Sequence, residues 1–388
     1  MMNKVITGLE RLEPSSMLGE SLGLLMHPAS IDRYFKTAFQ RMAASGLNIR
    51  ALFGPQHGIM GETQDNMIEW EGYEDKNAGI PVYSLYGKHR TPTRAMLYGL
   101  DRLVIDLQDV GARYYTFIWS MLNCMRACSQ EGIPVSVLDR PNPIGTEEVQ
   151  GPVLDMKYKS FVGLAPIPVQ HGMTIGELAL YFNLHFELNC DLEVVPMEGY
   201  QRSMIFSDTG LPWVFPSPNM PSLNTALVYP GGCLLEATNL SEGRGTTLPF
   251  ELFGAPFIEH NKLSKRLEAY GFEGVAFREV EFMPTFHKWK DQLCKGYHIH
   301  VTDRKKYRSF DVMACILAEI KKLYPREFLW NGPPYEYEWN LMPIDILAGH
   351  SELRLRIDEE KPMLAWLKEK DEEAKVFRKS VEGVLIYE

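Results

Sequence analysis

Several things are missing from this chain of 388 residues, and each absence removes a class of function. No apolar stretch reaches the roughly 18 residues of a membrane helix. The N-terminal MMNKVITGLERLEPSS has no apolar core leading to a cleavage site, so nothing in it argues for export. There is no basic run and the formal net charge is −10, which argues against nucleic acid as the main partner. The six cysteines (124, 128, 190, 233, 294 and 315) form no CxxC pair, so neither a zinc knuckle nor a disulfide framework is expected. A reducing, cytoplasmic setting is the simplest expectation. GxxxxGK[ST], GxGxxG, HExxH and GxSxG are all missing, which leaves no phosphate cradle, dinucleotide fingerprint, metalloprotease helix or nucleophile elbow. No internal repeat or low-complexity segment is present. The expectation is therefore a globular protein with a small-molecule substrate, no cofactor and no metal; oligomeric state stays open.

What is present alternates. Apolar runs at Leu22–Met26, Ile49–Phe53, Ile80–Leu85, Leu103–Leu107 and Ile133–Leu138 read as strands buried on both faces of a parallel sheet. Helical spacing follows several of them. One helix is predicted from Ile31 to Met42, with Gly46 beyond its end, and others over Pro92–Leu100 and from Tyr114 to about Glu131. Thr174 opens a further helix that runs to about Asn189, and Leu192–Pro196 reads as another strand. The fold class is thus α/β, a Rossmann-like, doubly wound, mainly parallel sheet. A proline-rich stretch around residues 212–230 suggests a division into 1–225 and a smaller C-terminal α/β or α+β domain over 226–388. In that second part a helix is predicted near Asn261–Tyr270, a strand at His298–Val301 and a helix over Phe310–Tyr324. The charged tail from Glu352 to Lys370 reads as helical, broken at Pro362.

In open α/β sheets ligands bind at the carboxyl ends of the strands, and polar motifs gather there. RLVIDLQDVGARYYTF delivers Asp109, Arg113 and Tyr115 where a strand hands over to a helix. Asp109 and Arg113 either pair as scaffolding or leave Arg113 to fork onto a ligand carboxylate. FGPQHGIMGE carries Gln56, His57 and Glu62 among three glycines that permit close backbone approach. It reads either as a binding loop or as a tight turn with a structural histidine. VLDRPNPIG brings Arg140, an ion-pair partner more than a catalyst, and Asn142. In HGMTIGEL, Thr174 and Glu177 fit a capping box. That explains Glu177 structurally and leaves His171 a candidate. NLSEGRGTT offers Glu242 and Arg244, on a loop closing over a cleft or on a solvated turn. His298 and His300 share a strand face without a third ligand at convincing spacing, so no metal site is expected.

These motifs, with PVYSLYG and PPYEYE, stand in the order found in the NamZ or YbbC family of exo-β-N-acetylmuramidases, once a domain of unknown function, and the chain resembles that family from about Leu22 to its end. The resemblance implies a Rossmann-like domain, a smaller C-terminal domain and an active site in the cleft between them. It also implies removal of terminal N-acetylmuramic acid from peptidoglycan fragments without a nucleotide. The lactyl carboxylate of that sugar suits an arginine fork, with Arg113, Arg140 and Arg244 as candidates. Glycoside cleavage needs a protonated acid at the leaving oxygen and a second group to act as nucleophile or to activate water. Many relatives read GPEHG where this chain has Gln56, and an amide cannot replace a catalytic acid. Glu62 is then the first choice for the acid. Asp109 would orient or stabilise, and His57 and His171 would contact substrate. Gln56, Tyr115, Asn142 and Glu242 complete the expected site. The alternatives are a non-catalytic muropeptide or sugar-acid binding protein, and a hydrolase of another glycoside.

Overall fold

The structure, a computed structural model, describes residues 5–64, 67–76 and 78–388. Strands β1 (Ser21–Leu25), β2 (Asn48–Gly54), β3 (Tyr73–Asp75), β4 (Ile80–Ser84), β5 (Arg102–Ile105) and β6 (Val135–Leu138) belong to one sheet. β7 (Gln150–Val153) and β8 (Pro168–Gln170) form a separate hairpin, and β9 (Leu192–Val195) completes the first sheet in the order β3-β4-β2-β1-β5-β6-β9. All its pairings are parallel except β3 with β4. The centre is buried throughout, as in β6, all four of whose residues are inaccessible. This is why those strands read as unbroken apolar runs. From β1 the chain steps outward through β2 to β4, then returns to β5 on the other side. The winding therefore reverses between β1 and β5, and the loops at that carboxyl edge face a crevice.

A second, antiparallel sheet in the C-terminal half has the order β10 (Leu252–Ala255), β12 (Cys294–Val301), β11 (Val275–Phe282). The fold class expected from the sequence is the one observed. The halves are not separately packed, because Trp119 and Phe182 share one continuous apolar core with Phe310 and Trp366. The chain end also returns to the first sheet, where the Tyr387 hydroxyl donates to Asp139 at 2.5 Å. Among the described residues no helix is long and apolar enough to cross a membrane.

Local chemistry explains where the elements depart from their apolar spacing. The helix expected from Ile31 begins only at Ala38. Asp32 accepts the Tyr34 and Lys36 amides at 2.8 and 3.0 Å, which gives that backbone a turn in place of a helix. Thr37 and Gln40 then form a capping box. The helix after β8 (Ile175–His185) carries the capping box expected of Thr174 and Glu177 but stops short of Asn189. β3, β11 and the β7–β8 hairpin were not expected. Nor was the helix Leu223–Gly232, which contains Pro230. The charged tail does break around Pro362, between helices Glu352–Asp358 and Leu364–Ser380.

Arg113, at the end of the β5 loop, is fully buried and reaches no carboxylate among the described residues. Its guanidinium donates to the carbonyls of Pro152 (2.9 Å), Ile167 (3.1 Å) and Leu347 (2.6 Å). It ties the hairpin to the helix Pro343–Ala348 of the C-terminal half. Arg113→Met would take the guanidinium from the buried Pro152 and Leu347 carbonyls, while the Ile167 carbonyl keeps the Leu154 amide at 3.2 Å, and is expected to lower stability by roughly 2 kcal/mol or more. The urea midpoint measures this; an unchanged midpoint would show that the clamp is dispensable.

Candidate active site

A cleft lies where the strand-end loops meet the C-terminal half. Gln56 and His57 come from the loop after β2, and Tyr115 and Thr116 from the start of the helix Phe117–Glu131. The C-terminal half supplies Glu236, Arg244, Tyr335 and Glu336.

Glu336 is the most heavily constrained of these. It is 3% exposed, with φ +45, and Tyr337 follows at φ +66. Tyr335 and Glu338 exchange both backbone hydrogen bonds across them, at 2.9 Å each. Two successive positive φ values suit Asn-Gly in a type I′ turn. In non-glycine residues they persist only when surroundings impose them. Here the surroundings are explicit. The Tyr86 hydroxyl, fully buried beyond β4, donates to Glu336 Oε2 at 2.8 Å. Gln56 Nε2 lies 3.5 Å from Oε1, and the Arg90 guanidinium sits 3.4 Å over the Tyr337 ring. Burial pushes the Glu336 carboxyl up to about 7; Glu236 adds to the rise, and Tyr86, Gln56 and Arg244 oppose it. A buried carboxyl protonated near neutrality is what a general acid requires.

The second carboxylate, Glu236, accepts from Arg244 Nη2 and from the Tyr335 hydroxyl, each at 2.6 Å. His57 has φ +72, and its Nδ1 stands 2.7 Å from the Thr63 carbonyl. A carbonyl can only accept, so Nδ1 carries the hydrogen and Nε2 is left as an acceptor. Burial, with Arg244 nearby, lowers the His57 pKa to about 4, so the ring is neutral at pH 7.

Of the residues picked from sequence, Gln56, His57, Tyr115 and Arg244 line this cleft together. The others lie elsewhere, each for a visible reason. Glu62 is exposed; its carboxylate accepts the Met60 amide at 3.1 Å and lies against Gly58, where φ is +90 and a side chain would collide with it. Asp109 accepts from the Gly111 amide at 2.7 Å and pairs with His171 Nε2 at 3.0 Å, bracing the turn after β5. His171 is fully buried. Arg113 is the clamp described above. Arg140 grips Asp106 through two nitrogens and the Ile31 carbonyl at 2.9 Å. Asn142 accepts the Ile144 amide and donates to the Met173 carbonyl. Glu242 is buried among Arg244, His287 and Lys288; the Lys288 charge, a hydrogen bond from His287 and the Arg244 charge hold its carboxyl far below the usual range despite burial. Sequence reasoning missed Glu336, Glu236, Tyr86 and Thr116. PPYEYE and PVYSLYG flagged two of these segments but not which residue mattered.

Family models described as exo-beta-N-acetylmuramidase NamZ, N-terminal and C-terminal, match residues 22–224 and 227–387. The chain belongs to the exo-β-N-acetylmuramidase NamZ family. It is 45% identical to the peptidoglycan beta-N-acetylmuramidase NamZ of Bacillus subtilis over 92% of this chain and 84% of that protein. Two crystal structures of DUF1343 family proteins from Bacteroides fragilis share the fold. One has a TM-score of 0.87 at 32% identity, covering 99% of each chain. The other has 0.78 at 28%, covering 100% of this chain and 99% of that one.

The buried acid of this NamZ-family cleft makes a stability prediction. Glu336 keeps its proton to about 7 when folded, whereas an unfolded glutamate releases it near 4.5. Between those values only the unfolded chain loses a proton, so stability is full below 4.5 and falls as pH rises through 7. Glu336→Gln cannot titrate. Its stability relative to wild type should therefore rise by roughly 3 kcal/mol from pH 4.5 to 7.5. Urea unfolding at both pH values checks this, and a constant difference would remove the raised acidity.

Proposed function

We propose that this protein is an exo-acting glycoside hydrolase that releases terminal N-acetylmuramic acid from peptidoglycan fragments, with Glu336 as its general acid. The observation that carries this reading is the buried, raised carboxyl of Glu336 facing a cleft in a NamZ-family chain. Glu336 gives its proton to the glycosidic oxygen as the bond from that oxygen to the anomeric carbon breaks. Glu236 is the second carboxylate of the pair, set against the positive charge that develops on the sugar. Water supplies the hydroxyl on the anomeric carbon, and its proton returns to the carboxylates. Arg244 provides the positive field that a lactyl carboxylate needs, and His57 and Tyr115 contact the sugar. Asp109 and His171 act from beneath, by holding the turn that presents Tyr115. A reducing compartment fits six cysteines that are all free and buried.

Glu336→Gln should lower kcat on a muramic disaccharide about 10²–10⁴-fold, while Glu62→Gln stays within about threefold of wild type. The loss should be smaller on a nitrophenyl muramic glycoside, whose leaving group needs little protonation. Turnover of the disaccharide by Glu336→Gln within about tenfold of the wild-type rate would dismiss the assignment. If wild type cleaves neither muramic nor N-acetylglucosamine glycosides yet is thermally stabilised by free N-acetylmuramic acid, the protein binds the sugar without cutting it.

A further inference from the structure

Gln56 stands at the centre of a hydrogen-bond chain whose directions can be read off. The Thr116 hydroxyl donates to Gln56 Oε1 at 2.6 Å, which fixes the amide with its nitrogen turned away from Thr116. That nitrogen has two hydrogens. One meets the Tyr86 oxygen at 3.1 Å, and the other points to Glu336 Oε1 at 3.5 Å. The Met67 amide also donates to the Tyr86 oxygen, at 3.0 Å. With both its lone pairs taken, Tyr86 must direct its own hydrogen outward, and Glu336 Oε2 receives it at 2.8 Å. Gln56, Tyr86, Thr116 and Glu336 are all buried, so bulk water does not replace a lost donor there.

We infer that Gln56, locked by Thr116, is a positioning residue for Glu336, holding the carboxylate that remains once the proton has been given away. The inference rests on Glu336 being the acid. Gln56 acts in two ways, through its own N–H and by forcing Tyr86 to be a donor. Both favour the charged form of Glu336 and so make it a readier acid. An amide suits this place because it donates without adding charge. A carboxyl there would put a like charge beside Glu336. The other groups facing Glu336 are Glu236, which opposes its ionisation, and Arg244, which favours it, with Tyr335 and Tyr337 on either side in the chain. The variants below leave all of these in place.

In a profile of kcat/KM against pH, the alkaline limb reports the acid of the free enzyme. Gln56→Leu should move that limb up by about half to one pH unit, with at least a tenfold lower kcat. Thr116→Val should shift the limb the same way, and Thr116→Ser should return it to the wild-type position. Limbs that coincide in Gln56→Leu, Thr116→Val and wild type, whatever the loss in rate, would reduce Gln56 to a space-filling role and overturn the inference.

An unfolding experiment decides the same point without activity. In Gln56→Leu the loss of stability with rising pH should continue to a higher pH than in wild type, and adding Glu336→Gln should abolish the difference. If the single variant and wild type lose stability over the same pH window, the inference is wrong. If wild type cleaves no muramic glycoside, the proposed activity falls, and the unfolding comparison alone decides the role of Gln56.

Discussion

The contact between Tyr86 and Glu336 joins the two halves at the point where the chemistry is placed. One partner stands just beyond β4 of the first sheet and the other in a turn 250 residues later in the chain. Both are buried. The donors that restrain the Glu336 carboxyl, Tyr86 and Gln56, come from the N-terminal half, and the carboxyl itself from the C-terminal half. The cleft is therefore a property of how the halves pack. The shared apolar core and the Arg113 clamp hold that packing in place.

Legibility in the sequence followed burial. β1, β5 and β6 are covered on both faces, so their apolar runs announced the parallel sheet and its carboxyl edge. β11, half-exposed with the sequence VAFREVEF, has too weak a pattern to separate from a loop. The helix Leu223–Gly232 was hidden by Pro230, a residue that reads as a break. Prolines dense enough to suggest a linker turned out to include a helix packed into the core.

The site was legible as a place more than as a list of groups. Strand-end loops drew attention to Gln56, His57 and Tyr115, and a loop of the C-terminal half to Arg244, and the four line one cleft, yet charge in a motif says nothing about its partner. Asp109 is answered by His171 and Arg140 by Asp106, and Arg113 is spent on backbone carbonyls. Such pairs are costly to break once buried, so their residues look like chemistry in a sequence and act as framework in the fold. Glu62 attracted notice through nearness to Gln56 along the chain. Glu336 lies 280 residues from Gln56 and became its neighbour only through the tertiary fold.

The turn that carries Glu336 has a consequence for the protein's adaptability. Glu-Tyr occupies positions where Asn-Gly would be at ease, so the local backbone is held in a conformation its own side chains disfavour. Relieving that tension is one of the simplest single steps toward a sturdier protein, and at residue 336 the same step deletes the carboxyl proposed as the acid. Random variation screened only for heat tolerance would be drawn toward that exchange, so laboratory evolution of this scaffold has to select for turnover from its first round.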